Sequence, residues 1–400
     1  MAFFSVYKLT ENKKEHRPEA RDDRPKQGVY RPPNPGHGDI RPEGNKTCPK
    51  ASHFQNLLVL LLFKRAFTLH NAHNYSLMTI KIMSDIKANS QTDTPTSLSF
   101  EILPPLRGKG MESVYKTLDK LIPFRPSYIN ITTHRAETIY SEGEGGMYQK
   151  LSVCNRPGTV AIAAAVKERY KVRTVPHIIC SGFSAAEIES ELIDLSYLGI
   201  TDLLVLRGDR AKEDNRFIPT PGGHSHAIEL CEQINAFNRG ELLGGVHMDA
   251  PTTPFTYGVA GYPEKHDEAM NMEVDIAHLK AKVAAGADHI VTQMFFDNAK
   301  YFDFVARLRK EGITVPVIPG LKPLTTLNHC AMLPRTFHID FPQALANEFV
   351  RCKSNDDVKA LGIEWAVAQV RELKAAGVPM VHFYTMNASY STYNILKQTF

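Results

Sequence analysis

From residue 97 onward, short apolar runs alternate with amphipathic stretches, and this alternation strongly constrains the fold. The run Leu203–Leu206 is apolar at every position, as expected of a strand covered on both faces. Similar runs recur along the chain and are separated by stretches with helical periodicity. Eight strands are predicted, at Ser97–Ile102, Tyr128–Thr133, Thr174–Ile179, Thr201–Leu206, Thr256–Gly261, His289–Phe295, Val315–Gly320 and Met380–Thr385.

Strands that alternate with helices predict an α/β protein with a parallel sheet, and eight strands is the number that closes a (β/α)8 TIM barrel. A doubly wound sheet is the alternative. It is disfavoured because the glycine-rich stretch Gly143–Gly146 lacks the GxGxxG order and does not join a strand to the start of a helix. Helices are predicted at Gly158–Tyr170, Ala185–Leu198, His226–Asn238 and Val274–Ala285.

The first 95 residues differ in composition from the rest of the chain. Met1–Ala51 is rich in proline and charged residues and lacks apolar periodicity, which predicts disorder. The apolar run Leu57–Phe63 is too short to span a membrane and too far from the first residue for an ordinary signal peptide. We expect residues 1–95 to be a disordered or non-native extension, with translation starting at an internal methionine. Residues 96–400 are expected to form the barrel.

Charge and cysteine usage narrow the class of protein. The net charge is only +4, so the composition does not favour binding to nucleic acid. The six cysteines are scattered without a CxxC pair, a pattern typical of a reducing compartment rather than of a disulfide framework. We therefore expect a cytoplasmic protein that contacts neither membrane nor nucleic acid. No metal-ligand spacing is present in the sequence, so no metal site is predicted.

Polar side chains stand where the predicted strands end. Glu101 ends the first strand, and Arg207, Gly208 and Asp209 follow the fourth. The carboxyl ends of barrel strands carry the chemistry of such folds, so these residues are candidates for one site. Burial would raise the pKa of the Glu101 carboxyl, which suits a general acid. The alternatives are an ion pair between Glu101 and Arg107 or another cation, and an ordinary ion pair between Arg207 and Asp209.

Further polar and small residues indicate a site for a large cofactor with phosphates. The amide of Gln293 can donate to and accept from a heterocycle, and Tyr262 can stack or donate. Asp275, His278 and Lys282 share one helix face, which is either part of the site or a solvated face. The sequence shows no paired nucleophile and base. We therefore expect a flavin or nicotinamide to supply the chemistry, with the protein supplying orientation and one acid.

In this order, the motifs resemble those of the 5,10-methylenetetrahydrofolate reductase family, in its bacterial-type catalytic barrel. The resemblance extends from Ser97 to Phe400. It implies a barrel that binds FAD, takes hydride from NADH or NADPH, and passes it in a ping-pong reaction to methylenetetrahydrofolate. The product would be 5-methyltetrahydrofolate, used in methionine biosynthesis. The motifs are Ser99–Pro105, Leu206–Asp209, Tyr262–His266, Thr292–Asp297, Pro319–Leu321 and His382–Thr385.

The resemblance also implies roles for individual residues. Glu101 would be the general acid that helps to open the folate ring, and Asp209 the second catalytic group, near both flavin and folate. Gln293 would contact the donor and the folate. Leu327 stands where many members place an aromatic residue over the folate, and Ala388 where some place an arginine. The implied FAD contacts are Thr132, His177, Arg207, Gly208, Asp209, His226, Ala227, Tyr262, His266, Ala269, Asp275, His278 and Lys282.

Two other functions remain open at this point. Lys322 could act as the Schiff-base nucleophile of a barrel lyase, although Pro323 follows it directly. A flavin- or folate-binding subunit without activity is the second alternative, since Leu327 and Ala388 depart from the family pattern. The resemblance further implies a homo-oligomer.

Overall fold

The computed structural model describes residues 95–142, 147–387 and 389–400, which all fall in one compact unit. The extension expected at residues 1–95 therefore lies outside the described residues, apart from Pro95. Ala388, which stands where some family members have an arginine, also lies outside them.

The described residues contain eleven strands and ten α-helices, in an order close to strict alternation. The strands are β1 (Ser97–Ile102), β2 (Tyr128–Ile131), β3 (Glu137–Glu142), β4 (Tyr148–Val153), β5 (Thr174–Ile179), β6 (Asp202–Leu206), β7 (Thr256–Gly261), β8 (His289–Thr292), β9 (Val317–Ile318), β10 (Gly320–Leu321) and β11 (Met380–Tyr384). The helices are α1 (Glu112–Leu121), α2 (Thr159–Tyr170), α3 (Ala185–Tyr197), α4 (Ala227–Asn238), α5 (Met272–Ala284), α6 (Asn298–Lys310), α7 (His329–Phe337), α8 (Gln343–Phe349), α9 (Asn355–Ala375) and α10 (Ser389–Thr399).

Nine of the strands form one parallel sheet in the order β10-β11-β1-β2-β5-β6-β7-β8-β9. The two outer strands, β9 and β10, are consecutive in the chain and are separated only by Pro319. One interrupted strand therefore pairs with β8 on one side and with β11 on the other. This arrangement closes a barrel with eight strand positions, which confirms the predicted (β/α)8 fold and excludes the doubly wound sheet.

The strands are buried on both faces, and alternate side chains enter two separate hydrophobic clusters. On β6, Leu203 and Val205 pack outward among the helices, whereas Leu204 and Leu206 belong to the cluster inside the barrel. The strand therefore reads as a continuous apolar run rather than as an alternating pattern. On β1 the inward positions are instead polar: Phe100 packs outward, whereas Glu101 is buried in the barrel interior.

Several predicted boundaries differ from the structure. The predicted strand His289–Phe295 ends at Thr292, and the side chain of Gln293 then accepts a hydrogen bond from the backbone N–H of Met294 (2.9 Å). The predicted strand Val315–Gly320 is interrupted because Pro319 has no N–H to donate. The antiparallel hairpin of β3 and β4 was not predicted, because its largely exposed strands carry no strong apolar pattern.

Within the described ranges, no helix combines the length and the apolar character that crossing a membrane requires.

Candidate active site

A cavity of about 750 Å³, called the main cavity below, lies at the carboxyl ends of β6, β7 and β8. Its volume is in the range of ordinary cofactor and ligand sites. The loops after these strands and the first turns of the following helices supply most of its wall. The main cavity brings together twelve of the residues singled out in the sequence, namely Arg207, Gly208, Asp209, His226, Ala227, Tyr262, His266, Ala269, Asp275, His278, Lys282 and Gln293.

Arg207 stands at the exit of β6, partly buried in the wall of the main cavity. It forms an ion pair with Glu268 rather than with Asp209, and its guanidinium carbon lies 4.7 Å from the centre of the Phe217 ring. Its Nε atom is buried and forms no hydrogen bond with any residue that the structure describes. A buried donor without a partner is costly, so a bound acceptor there would be favourable.

Gly208 has φ of +80°, a conformation that residues with a side chain rarely adopt. A Cβ atom at this position would lie 2.8 Å from the Cβ of Ser181 and 3.3 Å from that of Ile179. The glycine therefore allows the β6 exit to pack closely against the exit of β5. Packing against Ser181 and Ile179 therefore requires a glycine at this position, whether or not a ligand also contacts it.

Asp209 lies between the main cavity and a smaller second cavity of about 160 Å³, and it lines both. Burial raises the pKa of its carboxyl to about 6; Arg207 opposes the shift, and Asp267 adds to it. Asp209 is therefore mostly ionised at neutral pH. A carboxylate shared by two adjoining cavities can act electrostatically on molecules in either of them.

The turn from Tyr262 to His266 forms another part of the wall and is fixed by the start of α5. The carboxylate of Asp275 accepts a hydrogen bond from the backbone N–H of His266 at 2.9 Å. Asp275 is buried, so it does not belong to a solvated face. One turn and two turns further along α5, His278 lines the cavity and Lys282 donates to the carbonyl of Ala260 at 3.0 Å.

Glu101 is inside the barrel and has only 1% of its surface exposed. Its carboxylate lies 3.6 Å from Nε2 of His177, which in turn contacts the side-chain amide of Asn130 at 3.2 Å. His177 lines the second cavity, whereas Glu101 lines neither cavity. Glu101 thus lies directly behind the wall of the site. The ion pairs between described residues do not include one between Glu101 and the exposed Arg107.

Glu101 and Asp209 are held in different protonation states. Burial raises the pKa of Glu101 to about 8, with partial opposition from the ammonium group of Lys322. The pKa of Asp209 is about 6, for the reasons given above. Near neutral pH, Glu101 therefore carries a proton and Asp209 a charge. Two carboxyl groups whose environments separate their pKa values in this way suit an acid and an electrostatic partner.

Three other predicted residues lie away from the main cavity. Thr132 is buried, and its hydroxyl lies 3.4 Å from Nε2 of His134. His177 is at the second cavity, where its backbone carbonyl accepts a hydrogen bond from Thr133. Leu327 is 40% exposed, and its N–H donates to the side chain of Asn355. Leu327 lines neither cavity, so its predicted folate contact has no support from the geometry.

The end of α7 contributes to the main cavity in a way that the sequence did not reveal. Arg335, Thr336, Phe337 and His338 line its wall. His338 has φ of +52°, and its ring lies 3.7 Å from the carboxylate of Asp267 on the opposite side. The sequence shows that the segment after Pro323 is long, but it contains no motif that assigns these side chains to a site.

Comparison with protein families identifies the family of this chain. A family model described as methylenetetrahydrofolate reductase matches residues 86–399. Methylenetetrahydrofolate reductase (NADH) 1 of Arabidopsis thaliana is 29% identical over 327 residues, covering 79% of this chain and 50% of the plant protein. Methylenetetrahydrofolate reductase 1 of Schizosaccharomyces pombe is 30% identical over 302 residues, covering 75% and 45%.

A bacterial relative is covered over more of its length. The 5,10-methylenetetrahydrofolate reductase of Escherichia coli K12 is 27% identical over 300 residues, covering 75% of this chain and 89% of the bacterial protein. The chain thus spans about half the length of the plant and fungal relatives and most of the length of the bacterial one. The family model, over residues 86–399, includes the barrel.

Proposed function

The chain belongs to the methylenetetrahydrofolate reductase family, and from this premise we propose that it reduces 5,10-methylenetetrahydrofolate to 5-methyltetrahydrofolate with FAD as cofactor. The observation that carries the proposal is the main cavity. It gathers eleven of the thirteen residues assigned to FAD, all except Thr132 and His177, together with two residues assigned to the folate, Asp209 and Gln293. Donor and acceptor can then use one face of one cofactor in turn, as a ping-pong reaction requires.

The residues of the main cavity fit the demands of FAD. Lys282 and the three histidines His226, His266 and His278 provide donors for the phosphates, and the buried Nε of Arg207 lacks a partner among the described residues. When bound, the flavin carries hydride from NADH or NADPH to the folate. The chain itself supplies orientation through Gln293 and Asp209, and a proton from the buried carboxyl of Glu101.

The two alternative functions receive less support. Lys322 is 7% exposed and its ammonium group donates to the backbone carbonyl of Tyr384 at 3.3 Å. Its pKa of about 8 keeps it mostly charged near neutral pH, whereas a Schiff-base nucleophile must be a neutral amine. A non-catalytic subunit would not require a protonated carboxyl at Glu101 in addition to an ionised one at Asp209. We propose that the enzyme acts in the cytoplasm, which agrees with the free state of all five described cysteines.

The activity can be tested by incubating the FAD-loaded protein with NADH and methylenetetrahydrofolate and measuring 5-methyltetrahydrofolate by chromatography. Product formation that needs FAD, the nicotinamide and the folate together is the expected result. A protein that retains FAD but forms no product with either NADH or NADPH would support the non-catalytic subunit instead. A protein that binds no FAD would refute the proposed site.

Asp275→Ala is expected to weaken FAD binding by about 10- to 100-fold. The substitution removes the acceptor for His266 N–H, and a hydrogen bond to a charged group is worth about 1.5–3 kcal/mol. The turn from Tyr262 to His266, which lines the cavity, would then lose its fixed position. Quenching of flavin fluorescence during titration of the apoprotein measures the affinity.

The matched control for this variant is Asp303→Ala. Asp303 is an exposed helical aspartate on α6 that pairs with Arg307, away from both cavities. Its removal is expected to leave the affinity for FAD unchanged. Equal affinities in the two variants would show that Asp275 does not support the flavin site.

A further inference from the structure

Lys322 lies in the barrel interior, directly after β10 and at the same level as Glu101. In the sheet, Leu321 is opposite Phe383 and Tyr384 is opposite Glu101, so Lys322, Tyr384 and Glu101 follow one another across three neighbouring strand positions. Leu321 packs outward, which leaves Lys322 on the inward side of the wall. Its ammonium group donates to the carbonyl of Tyr384 at 3.3 Å.

Lys322 and Glu101 are an interacting pair of buried ionisable groups. Both residues are less than a tenth exposed, and neither carboxyl oxygen of Glu101 has a hydrogen-bond partner among the described residues. Burial lowers the pKa of Lys322 to about 8 and raises that of Glu101 to about 8, and each group partly opposes the shift of the other. The attraction between the two groups therefore affects the pKa of both.

The other groups near this pair do not supply a positive charge at neutral pH. His177 is 3.6 Å from Glu101, and burial holds its pKa well below the usual value. His329 is close to Lys322, and burial together with that ammonium lowers its pKa to about 3. Tyr384, on the strand between them, is neutral because burial raises its pKa. Among the described groups that face Glu101, Lys322 is thus the cation.

We propose that Lys322 is a positioning residue for Glu101, whose ammonium group compensates the negative charge that appears when Glu101 gives up its proton. The inference rests on the proposed function and deepens it. The proton of Glu101 passes to a ring nitrogen of the folate as the carbon–nitrogen bond of the five-membered ring breaks, and the electron pair of that bond stays on nitrogen. Glu101 is left as a carboxylate and regains a proton from solvent.

Ionising Glu101 in the barrel interior costs free energy, and Lys322 would reduce this cost. An isolated carboxylate in the barrel interior would be strongly disfavoured, because it is away from water and has no hydrogen-bond donors. An opposite charge nearby offsets this cost and lowers the pKa of a carboxyl by about one to three pH units. Lys322 would therefore make Glu101 a stronger acid than burial alone allows, while Glu101 still retains its proton at neutral pH.

Lys322→Met tests the proposal, because methionine is apolar and of similar length. We expect the folate-dependent reoxidation of the reduced enzyme to slow by about ten-fold. Its alkaline limit, the pH above which the rate falls because Glu101 has lost its proton, should move up by about one pH unit or more. The reduction of the flavin by NADH should keep its rate and pH profile, because it does not use the proton of Glu101. Lys322→Arg retains the charge and should leave the alkaline limit close to that of the wild type.

A second measurement does not depend on activity. Infrared difference spectra during a pH titration report the carbonyl stretch of a protonated carboxyl, and the band that Glu101→Gln removes belongs to Glu101. In Lys322→Met this band should persist to a pH about one unit higher than in the wild type or more. If Lys322→Met does not fold, Lys322→Gln serves for the same comparison.

The outcomes separate this inference from the proposed function. An unchanged alkaline limit and an unchanged infrared titration in a folded Lys322 variant would overturn the role of Lys322. A lower melting temperature without either shift would mean a structural role only, which also overturns it. A protein without folate reductase activity would refute the proposed function, and the infrared titration would still decide whether Lys322 controls the protonation of Glu101.

Discussion

Glu101→Gln is expected to keep FAD and its reduction by NADH but to lose folate reduction by about 10²–10⁴-fold, the usual contribution of a positioned general acid. The amide has nearly the shape of the protonated carboxyl but cannot give up a proton. Burial raises the pKa of Glu101 to about 8, so the wild-type residue holds its proton at neutral pH. The two half-reactions, measured separately by stopped-flow absorbance, show which of them is affected.

The matched control is Glu311→Gln, at an exposed glutamate that follows α6 and pairs with Lys280. It is expected to leave both half-reactions unchanged. A Glu101→Gln enzyme that reduces the folate at the wild-type rate would exclude the acid role. Equal losses in both half-reactions would instead indicate damage to the flavin site, since only the folate step is expected to need the proton.

Gly320→Ala is expected to destabilise the barrel by about 1–3 kcal/mol, the range for overpacking of a well-packed core, and to fall at its upper end. A Cβ atom at Gly320 would lie 2.3 Å from the carbonyl oxygen of Thr292 and 2.6 Å from the ring of Tyr384. Neither can move freely, because the Tyr384 hydroxyl donates to that same carbonyl, and the Gly320 N–H donates to the Thr292 hydroxyl at 3.0 Å.

The position matters because Gly320 begins β10, half of the interrupted strand that closes the barrel. The midpoint of urea denaturation, followed by circular dichroism, measures the effect. Gly110→Ala is the control, since a Cβ atom there would have no neighbour within 4 Å. If the two variants denature at the same urea concentration, the close contacts at Gly320 do not limit the packing of the barrel.

The sequence predicted the boundaries of five strands to within one residue. β1, β5 and β7 have the predicted boundaries, and β6 and β11 differ by one residue. These strands are buried on both faces, so every position is under the same constraint. The strand that closes the barrel was predicted as one element, although Pro319 interrupts it, and its two halves pair with β8 and β11 on opposite sides. Such pairing leaves little trace in local sequence.

The site was predicted where residues follow directly after strands. Arg207, Gly208 and Asp209 reach the main cavity because the exit of a barrel strand has a fixed direction. The side chains at the end of α7 were not assigned to the site, since a helix inserted in a long connection can turn its side chains towards any neighbour. The ion pair between Arg207 and Asp209, left open as an alternative, is not the one that the structure shows for Arg207. Its ion pair with Glu268 bridges two loops that are 61 residues apart in the chain.

Lys322 shows a different limit of the sequence. Its type suggested a nucleophile, but the structure places it in the barrel wall beside Tyr384, with its charge close to Glu101. The register across β10, β11 and β1 sets this neighbourhood, and the register follows from the closure of the barrel. The chemical role of a buried lysine thus depends on which charges the fold brings near it.

In the proposed reaction, one cavity serves the hydride donor and the folate in turn. Its most direct test is to reduce the FAD-loaded protein anaerobically with one equivalent of NADH, remove the nicotinamide, and add methylenetetrahydrofolate. We expect the visible flavin absorbance to bleach with NADH and to return with the folate, with one 5-methyltetrahydrofolate formed per flavin. A flavin that stays reduced after the folate is added, in protein that remains folded, would contradict the account.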